Sequence, residues 1–403
     1  MKYCNIIIIN QSNSLFWFYE MNWITKKDTI IFDAKYDKEL DIELISGYKK
    51  IIFSDYELND KLFEFYENCY SYGLICDFVR YKSQFDTRIS NLPPNITYLK
   101  FGFMFNNDIS NLLPNITHLI FGFMFNRDVS NLPPNITHLT FDYMFNQDVS
   151  VLPLNITHLT FDYMFNQDVS VLPLNITHLT FGCMFNQDML NLPPTLTHLI
   201  FGYKFNEDVS ILPPTLTHLE FGHIFNQDVS ALPPTLTHLT FGICFNKDVS
   251  TLPPTLTHLT LGHFFNQNIS TLPHTLTHLT IGSWFSQKND IPPNIKYLNL
   301  NCNNLHIINS LPNSLIELKL DCNFNLKLDN LPTSIKKLVI VKNSYFNQDL
   351  NCLPDFIEEL HLNYAYTKRI LNIPPNLKKI IFYKNYPHIN DFVEICDVET
   401  YSN

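Results

Sequence analysis

The sequence predicts a repeat solenoid, mainly β, with one short parallel strand in each twenty-residue coil and an extended or 3-10 convex side. The expected outline is a curved rod or horseshoe. Two observations carry this reading. Residues 141–160 read FDYMFNQDVSVLPLNITHLT, and residues 161–180 read the same twenty letters again. Looser copies of the stem F-G-x-x-F-N-x-D-V-S-x-L-P-P-x-I/L-T-H-L-x run on both sides, from Phe101 to Thr280. A fixed period of this length means stacked units whose contacts are with their neighbours.

Residues 1–84 are expected to form an N-terminal cap. They contain no proline, whereas the array has one or two per coil. Short β-type runs occur at Asn5–Asn10, Thr29–Phe32 and Lys50–Phe53. Lys49-Lys50-Ile51-Ile52-Phe53 echoes Lys378-Lys379-Ile380-Ile381-Phe382, which suggests degenerate coils. Between Asn59 and Tyr70, Leu62, Phe63, Tyr66 and Cys69 fall at helical spacing, with Asn59 as N-cap. An independent N-terminal domain is the competing reading.

The regular array is expected over 85–290. Leu199 and Phe201 point inward from a strand by the two-residue alternation, and Leu196, Phe205, Val209 and Leu212 supply the other inward positions. Pro213 and Pro214 remove donors and fix φ, so the return leg is extended. Divergent coils follow over 291–390. Ile295-x-x-Leu298-x-Leu300-x-x-Asn303-x-Leu305 carries the leucine-rich-repeat spacing, so the solenoid is expected to be leucine-rich-repeat-like. Counting from Val79–Tyr81 to Ile380–Phe382 gives sixteen strands. Residues 391–403 read as a C-terminal tail.

Composition narrows the function. The net charge of −11 opposes sequence-independent nucleic-acid binding, which needs Lys and Arg against phosphates. Within 101–280 only Arg127, Lys204 and Lys247 face twelve Asp and Glu. Nine scattered Cys without a C-x-x-C pair suit a reducing compartment. The N-terminal stretch MKYCNIIIINQSNS has only a four-residue apolar run, too short for a secretory signal core. No stretch approaches a membrane span. The expectation is a cytoplasmic protein, in the host cytoplasm if viral, that is not secreted and binds neither nucleic acid nor membrane.

Each repeated position becomes a column in a stacked array. Phe105 through Phe285 should form an aromatic spine, and Asn106 through Asn266 an amide ladder that satisfies backbone groups at a turn. Asp108 through Asp248 precede Ser by two residues, a spacing for a local turn bond; the glycine-rich nonapeptide of calcium-binding rolls is absent. The histidines from His118 to His278, one per coil, should line the concave face. Stacked neutral rings are the favoured reading; a metal stripe would need ligands converging on one point. No carboxylate pair, nucleophile–base set or phosphate-cradling loop stands out, so no catalytic residue, cofactor or metal is expected. Positions that vary between coils are the better guide to a partner: Tyr203, Glu220, His223, His263, Phe264 and Trp284 form the candidate binding set.

The motif F-N-x-D-V/I followed by L-P-P-x-I/L-T-H-L-x-F-G resembles the FNIP repeat family of social amoebae and giant amoeba-infecting viruses. The resemblance covers 85–290 closely and 291–390 loosely, and Phe346-Asn347-Gln348-Asp349-Leu350 restores the family's 22-residue spacing. The resemblance supplies no defined biochemical activity; the repeat array itself suggests a non-catalytic scaffold that binds an unknown protein partner along its concave sheet. Some family members carry an N-terminal F-box, which would imply ubiquitin-ligase components as partners. That element opens with Leu-Pro, and residues 1–92 contain no Pro. The readings to separate are therefore a protein-binding scaffold, a ligase adaptor, and a metal- or pH-responsive His ladder.

Overall fold

The computed structural model describes residues 6–9, 15–17, 28–32, 34–55, 83–89, 92–321, 324–383 and 386–401, the first two stretches by backbone alone. The helix expected between Asn59 and Tyr70 and the strand expected at Val79–Tyr81 lie outside the described residues. The chain divides into two compact units, Met1–Leu196 with Ile200–Gly202, and Thr197–Leu199 with Tyr203–Asn403.

In the first unit, Ile6–Ile9 pairs antiparallel with Leu15–Trp17 and parallel with Thr29–Phe32. A parallel ladder then runs through Lys50–Phe53, Tyr98–Lys100, His118–Ile120, His138–Phe141 and His158–Phe161 to His178–Thr180. Leu99, Leu119, Leu139, Leu159 and Leu179 stand opposite one another in turn. A slip by one residue would turn every such leucine out to solvent, so the pattern fixes the register. From Tyr98 onward in this unit each strand starts where a proline turn ends: the Ile136 N–H donates to the Pro133 carbonyl at 3.4 Å and Ile176 N–H to Pro173 at 3.3 Å. Where a second proline follows, as at Pro134, its fixed φ suits the turn's next position, and the chain leaves the turn extended into a β-branched Thr.

The core is a double file of phenylalanines. Within a coil Phe101 lies 3.7 Å from Phe105, and the same pair recurs at Phe121 and Phe125, Phe141 and Phe145, and Phe161 and Phe165. Along the spine, Phe105, Phe125, Phe145 and Phe165 follow at 6.1–6.2 Å. All the inward positions expected of a middle coil are at most 9% exposed. Burial of each ring contributes roughly 1.5–3 kcal/mol.

The polar ladders supply what the turns lack. Asn106 Oδ1 accepts the Asn126 N–H at 3.0 Å, and Asn126, Asn146 and Asn166 repeat the bond at 2.8–3.0 Å. Asp128 Oδ1 accepts the Ser130 N–H at 3.1 Å, and the Ser130 hydroxyl donates to the other carboxylate oxygen, the local turn bond expected of the Asp column. In the second unit Asn206 Oδ1 accepts from the Asn226 N–H at 2.7 Å, and its carbonyl accepts from Gln227 Nε2 at 2.8 Å. Asn206→Ala leaves the Asn226 N–H without this acceptor, an expected loss of about 1–3 kcal/mol. A urea denaturation midpoint unchanged from wild type would refute that role.

The glycine after the first Phe of a pair marks a close approach. A Cβ on Gly122 would sit 2.0 Å from the Gly102 carbonyl oxygen. The doubled coil nevertheless carries Asp142 and Asp162 here. There the strands run one residue further, Phe141 pairs with Phe161, and the Asp162 N–H donates to the Phe141 carbonyl at 3.1 Å.

In the second unit the parallel ladder runs from His218–Glu220 through His238–Thr240, His258–Thr260, His278–Ile281, Tyr297–Leu300, Glu317–Leu320, Lys337–Ile340 and Glu359–His361 to Lys379–Phe382 and Asp397–Thr400. Two details correct the sequence reading. The segment read as a tail supplies the last strand, with Val398 opposite Ile380 and Lys379 Nζ 2.9 Å from Glu399. The leucine-rich spacing also breaks after Leu300, since Leu305 is 56% exposed. It opens the short helix Leu305–Asn309, capped by buried Asn304, whose Oδ1 accepts the His306 and Ile307 N–H groups. The 22-residue coil absorbs its two extra residues at Ser344–Phe346, where the buried Ser344 hydroxyl accepts the Phe346 N–H at 3.1 Å.

Candidate functional site

The outward side of the sheet is built by the residues that alternate with the buried leucines. In the second unit His198, His218, His238, His258 and His278 stack face to face at 3.9–4.2 Å, and Tyr297 continues the column at 4.3 Å. In the first unit His118, His138, His158 and His178 stack at 4.2 Å. The preceding threonine orients each ring: Thr117 Oγ1 lies 2.9 Å from His118 Nδ1 and also 3.1 Å from the Thr97 carbonyl. A hydroxyl has one proton, and the carbonyl can only accept it. The imidazole Nδ1 therefore carries its own hydrogen and donates to the threonine, leaving Nε2 unprotonated. The same pair of contacts recurs in the second unit, as at Thr237 and His238. In each unit the stacked histidines thus present a row of imidazole acceptors.

Parallel stacked rings send their lone pairs out side by side, a poor arrangement for a metal ion that needs convergent donors. Among the described residues no group of three or more His, Cys, Asp or Glu could hold a metal.

The structure brings most of the candidate set into two groups, both in the second unit. Tyr203 stacks on His223 at 4.8 Å, with Tyr203 47% exposed. Phe264 meets Trp284 edge-on at 4.9 Å and His263 at 4.9 Å, and His263 reaches Trp284 at 6.2 Å. Trp284 is 63% exposed, an unusual position for the largest apolar side chain in the repertoire. Ile243, also exposed, occupies the coil between the groups. Glu220 stands exposed within the strand His218–Glu220 and belongs to neither aromatic group.

Sequence reasoning overlooked a third group. In the first unit Phe103, Phe123, Tyr143 and Tyr163 stack at 4.4 Å along the position that Tyr203 occupies later. Met104, Met124, Met144, Met164 and Met184 form the next column. The signal was the twenty-residue recurrence of aromatics at one variable position. Beside this group, burial pushes the Asp142 carboxyl up, with the Tyr143 N–H at 2.7 Å opposing and the charge of Asp162 reinforcing the rise.

One short parallel strand per coil, a proline turn before it and leucines inside define a leucine-rich-repeat-like solenoid. The profile described as FNIP Repeat matches residues 87–124, 125–163, 148–184, 165–204, 185–224, 205–244, 245–283, 287–323 and 346–385. The chain belongs to the FNIP repeat family. Among solved structures it is similar to CroV588, a giant-virus protein described as a circular LRR protein, at 30% identity and a TM-score of 0.62 over 93% of this chain. The chain spans 66% of that protein's length. It is also similar in fold to YopM from Yersinia enterocolitica, at 18% identity and a TM-score of 0.50, over 88% of this chain and 82% of YopM. No curated protein matches the chain. Neither the family nor these structures indicate an enzymatic class.

Proposed function

We propose that the protein is a non-catalytic scaffold that binds a protein partner through the outward face of the sheet and the aromatic positions beside it. The observation that carries this reading is the His263–Phe264–Trp284 cluster, where a 63%-exposed tryptophan is braced edge-on by a neighbouring ring. Tyr and Trp dominate interface energetics because they cover much area at small entropic cost. The row of imidazole Nε2 atoms adds acceptors for a partner's donors. A cytoplasmic setting accords with the described cysteines, Cys183, Cys244, Cys302, Cys352 and Cys396, all of which are free thiols. Among the described residues no helix is long and apolar enough to cross a membrane.

The test is affinity purification of the full chain and of its Phe264→Ala/Trp284→Ala variant from the native cell. The expected result is a co-purifying protein whose recovery falls at least tenfold with the variant. Ubiquitin-ligase subunits among the captured proteins would support the adaptor reading. Equal recovery of every captured protein by the two baits would sink the aromatic cluster as the binding site.

A further inference from the structure

The doubled coil departs from its neighbours on the outside of its return leg. Where Asn stands at 111, 131 and 191, it has Val151 and Val171. Where Pro stands at 114, 134, 194, 214, 234 and 254, it has Leu154 and Leu174. Val151, Leu154, Val171, Leu174 and nearby Leu190 are 52, 74, 57, 65 and 53% exposed. Single exposed leucines are ordinary, but five large apolar side chains on adjoining coils of one unit form a patch of the kind that marks an interaction surface. Folding does not require them, because Val149, Leu152 and Ile156 already fill the coil's interior and are at most 5% exposed. Their spacing is fixed from behind. Asn175 Nδ2 donates to the Leu154 carbonyl at 3.0 Å, and Thr195 Oγ1 donates to the Leu174 carbonyl at 2.6 Å.

Charge selects the occupant. Residues 128–202 contain six Asp and no Lys or Arg. Asp148 and Asp168, three positions before each valine, are exposed and held below the usual carboxylate range by the Ser150 and Ser170 N–H and hydroxyl groups. An apolar strip beside ionised carboxylates repels phosphate-bearing surfaces, and a second copy would set carboxylate against carboxylate. Adjacent coils lie at about 4.8 Å, close to the roughly 5–6 Å between residues three or four apart on a helix. A helix laid along the coils can therefore seat its apolar ridge against Leu154 and Leu174.

We infer that this patch docks an amphipathic helix of another protein whose apolar ridge is flanked by lysine or arginine. It is separate from the aromatic positions beyond residue 200 and does not depend on them. The test is fluorescence anisotropy of the full chain with a labelled 18-residue helical peptide of leucine and lysine, at physiological salt. The expected result is saturable binding that weakens at least tenfold in Val151→Asn/Leu154→Pro/Val171→Asn/Leu174→Pro. That variant keeps every charge and writes in residues the neighbouring coils already use. Leu154→Ser/Leu174→Ser supplies a second variant with the backbone freedom unchanged, and a thermal melt of each reports folding. A leucine–glutamate peptide of the same pattern should bind at least tenfold more weakly than the lysine peptide. Undiminished binding by folded variants would overturn the inference, as would equal binding of the two peptides. So would light scattering that shows a wild-type dimer dissolved by the variants, since the occupant would then be a second copy.

Discussion

Truncating Phe165 to alanine is expected to destabilise the protein by about 3–5 kcal/mol, the range for emptying a phenylalanine site in a close-packed core. The ring is 0% exposed and lies 3.7 Å from Phe161, 6.1 Å from Phe145 and 6.0 Å from Phe185. These partners belong to a ladder held on both sides, so the cavity has little room to collapse. The doubled coil offers an internal control. Phe145 has the same residue types around it, with Phe141 at 3.7 Å and Phe125 at 6.2 Å, so Phe145→Ala should cost nearly the same. Urea denaturation measures both. A loss below about 1 kcal/mol at either position would show that the spine does not hold the array together.

Acid should also unfold the protein well above the range of ordinary carboxylates. His118, His138, His178, His238, His258 and His278 all titrate below the ordinary 6.5, and His258 falls to about 4. Burial of the rings is the first cause in every case. Repulsion from neighbouring imidazoles follows for most, with Lys50 ahead of it at His118 and none at His238. A folded-state value below the unfolded one means that the unfolded chain binds more protons. The stabilising contribution is then complete above pH 6.5 and is lost as pH falls from 6.5 towards about 4. Each proton taken up on unfolding gives a slope of about 1.4 kcal/mol per pH unit. Asp142 and Asp55 act oppositely, because burial raises both carboxyls and so favours the folded state at low pH, but they are two groups against six. The Asp–Ser turns have lowered carboxyl values and add their loss only below the ordinary 3.8. Thermal melts from pH 8 to pH 4.5 should be flat at first and then fall steeply below about pH 6.5. Equal midpoints at pH 8 and pH 5 would contradict the stacked-ring account.

Much of this was legible because a repeat states each position many times. The inward set was readable from one coil, since Leu199, Phe201 and Phe205 recur in phase and strand alternation decides which side each faces. The Asn and Asp columns were readable because their side chains close local bonds at fixed offsets. What escaped depended on exceptions. Asp142 and Asp162 replace a glycine whose need is set by a neighbouring coil's carbonyl, a contact twenty residues away. Asp397–Thr400 carries almost no apolar signal, because a terminal strand contributes a single inward residue, Val398, opposite Ile380. Of the candidate set, the sequence pointed to variable positions beyond residue 200, but neither the pairing of Tyr203 with His223 and of Phe264 with His263 and Trp284 nor the Phe103–Tyr163 stack was legible. Whether rings at one variable position touch depends on their rotamers, which the sequence leaves open. The patch at Val151 and Leu154 was not legible because whether an apolar residue on the return leg faces in or out depends on which neighbours, here Val149, Leu152 and Ile156, already fill the interior.

That identity leaves the chain with two ways to thread itself. Residues 141–160 and 161–180 offer the same edges above and below, so one copy can loop out while the other closes the ladder against residues 121–140 and 181–200, losing only the pairing between the two copies. Such a slipped isomer is one coil short, carries a twenty-residue loop, and must unzip from one end to correct itself. The exact duplicate therefore leaves the folding chain two registers to choose between at this one place.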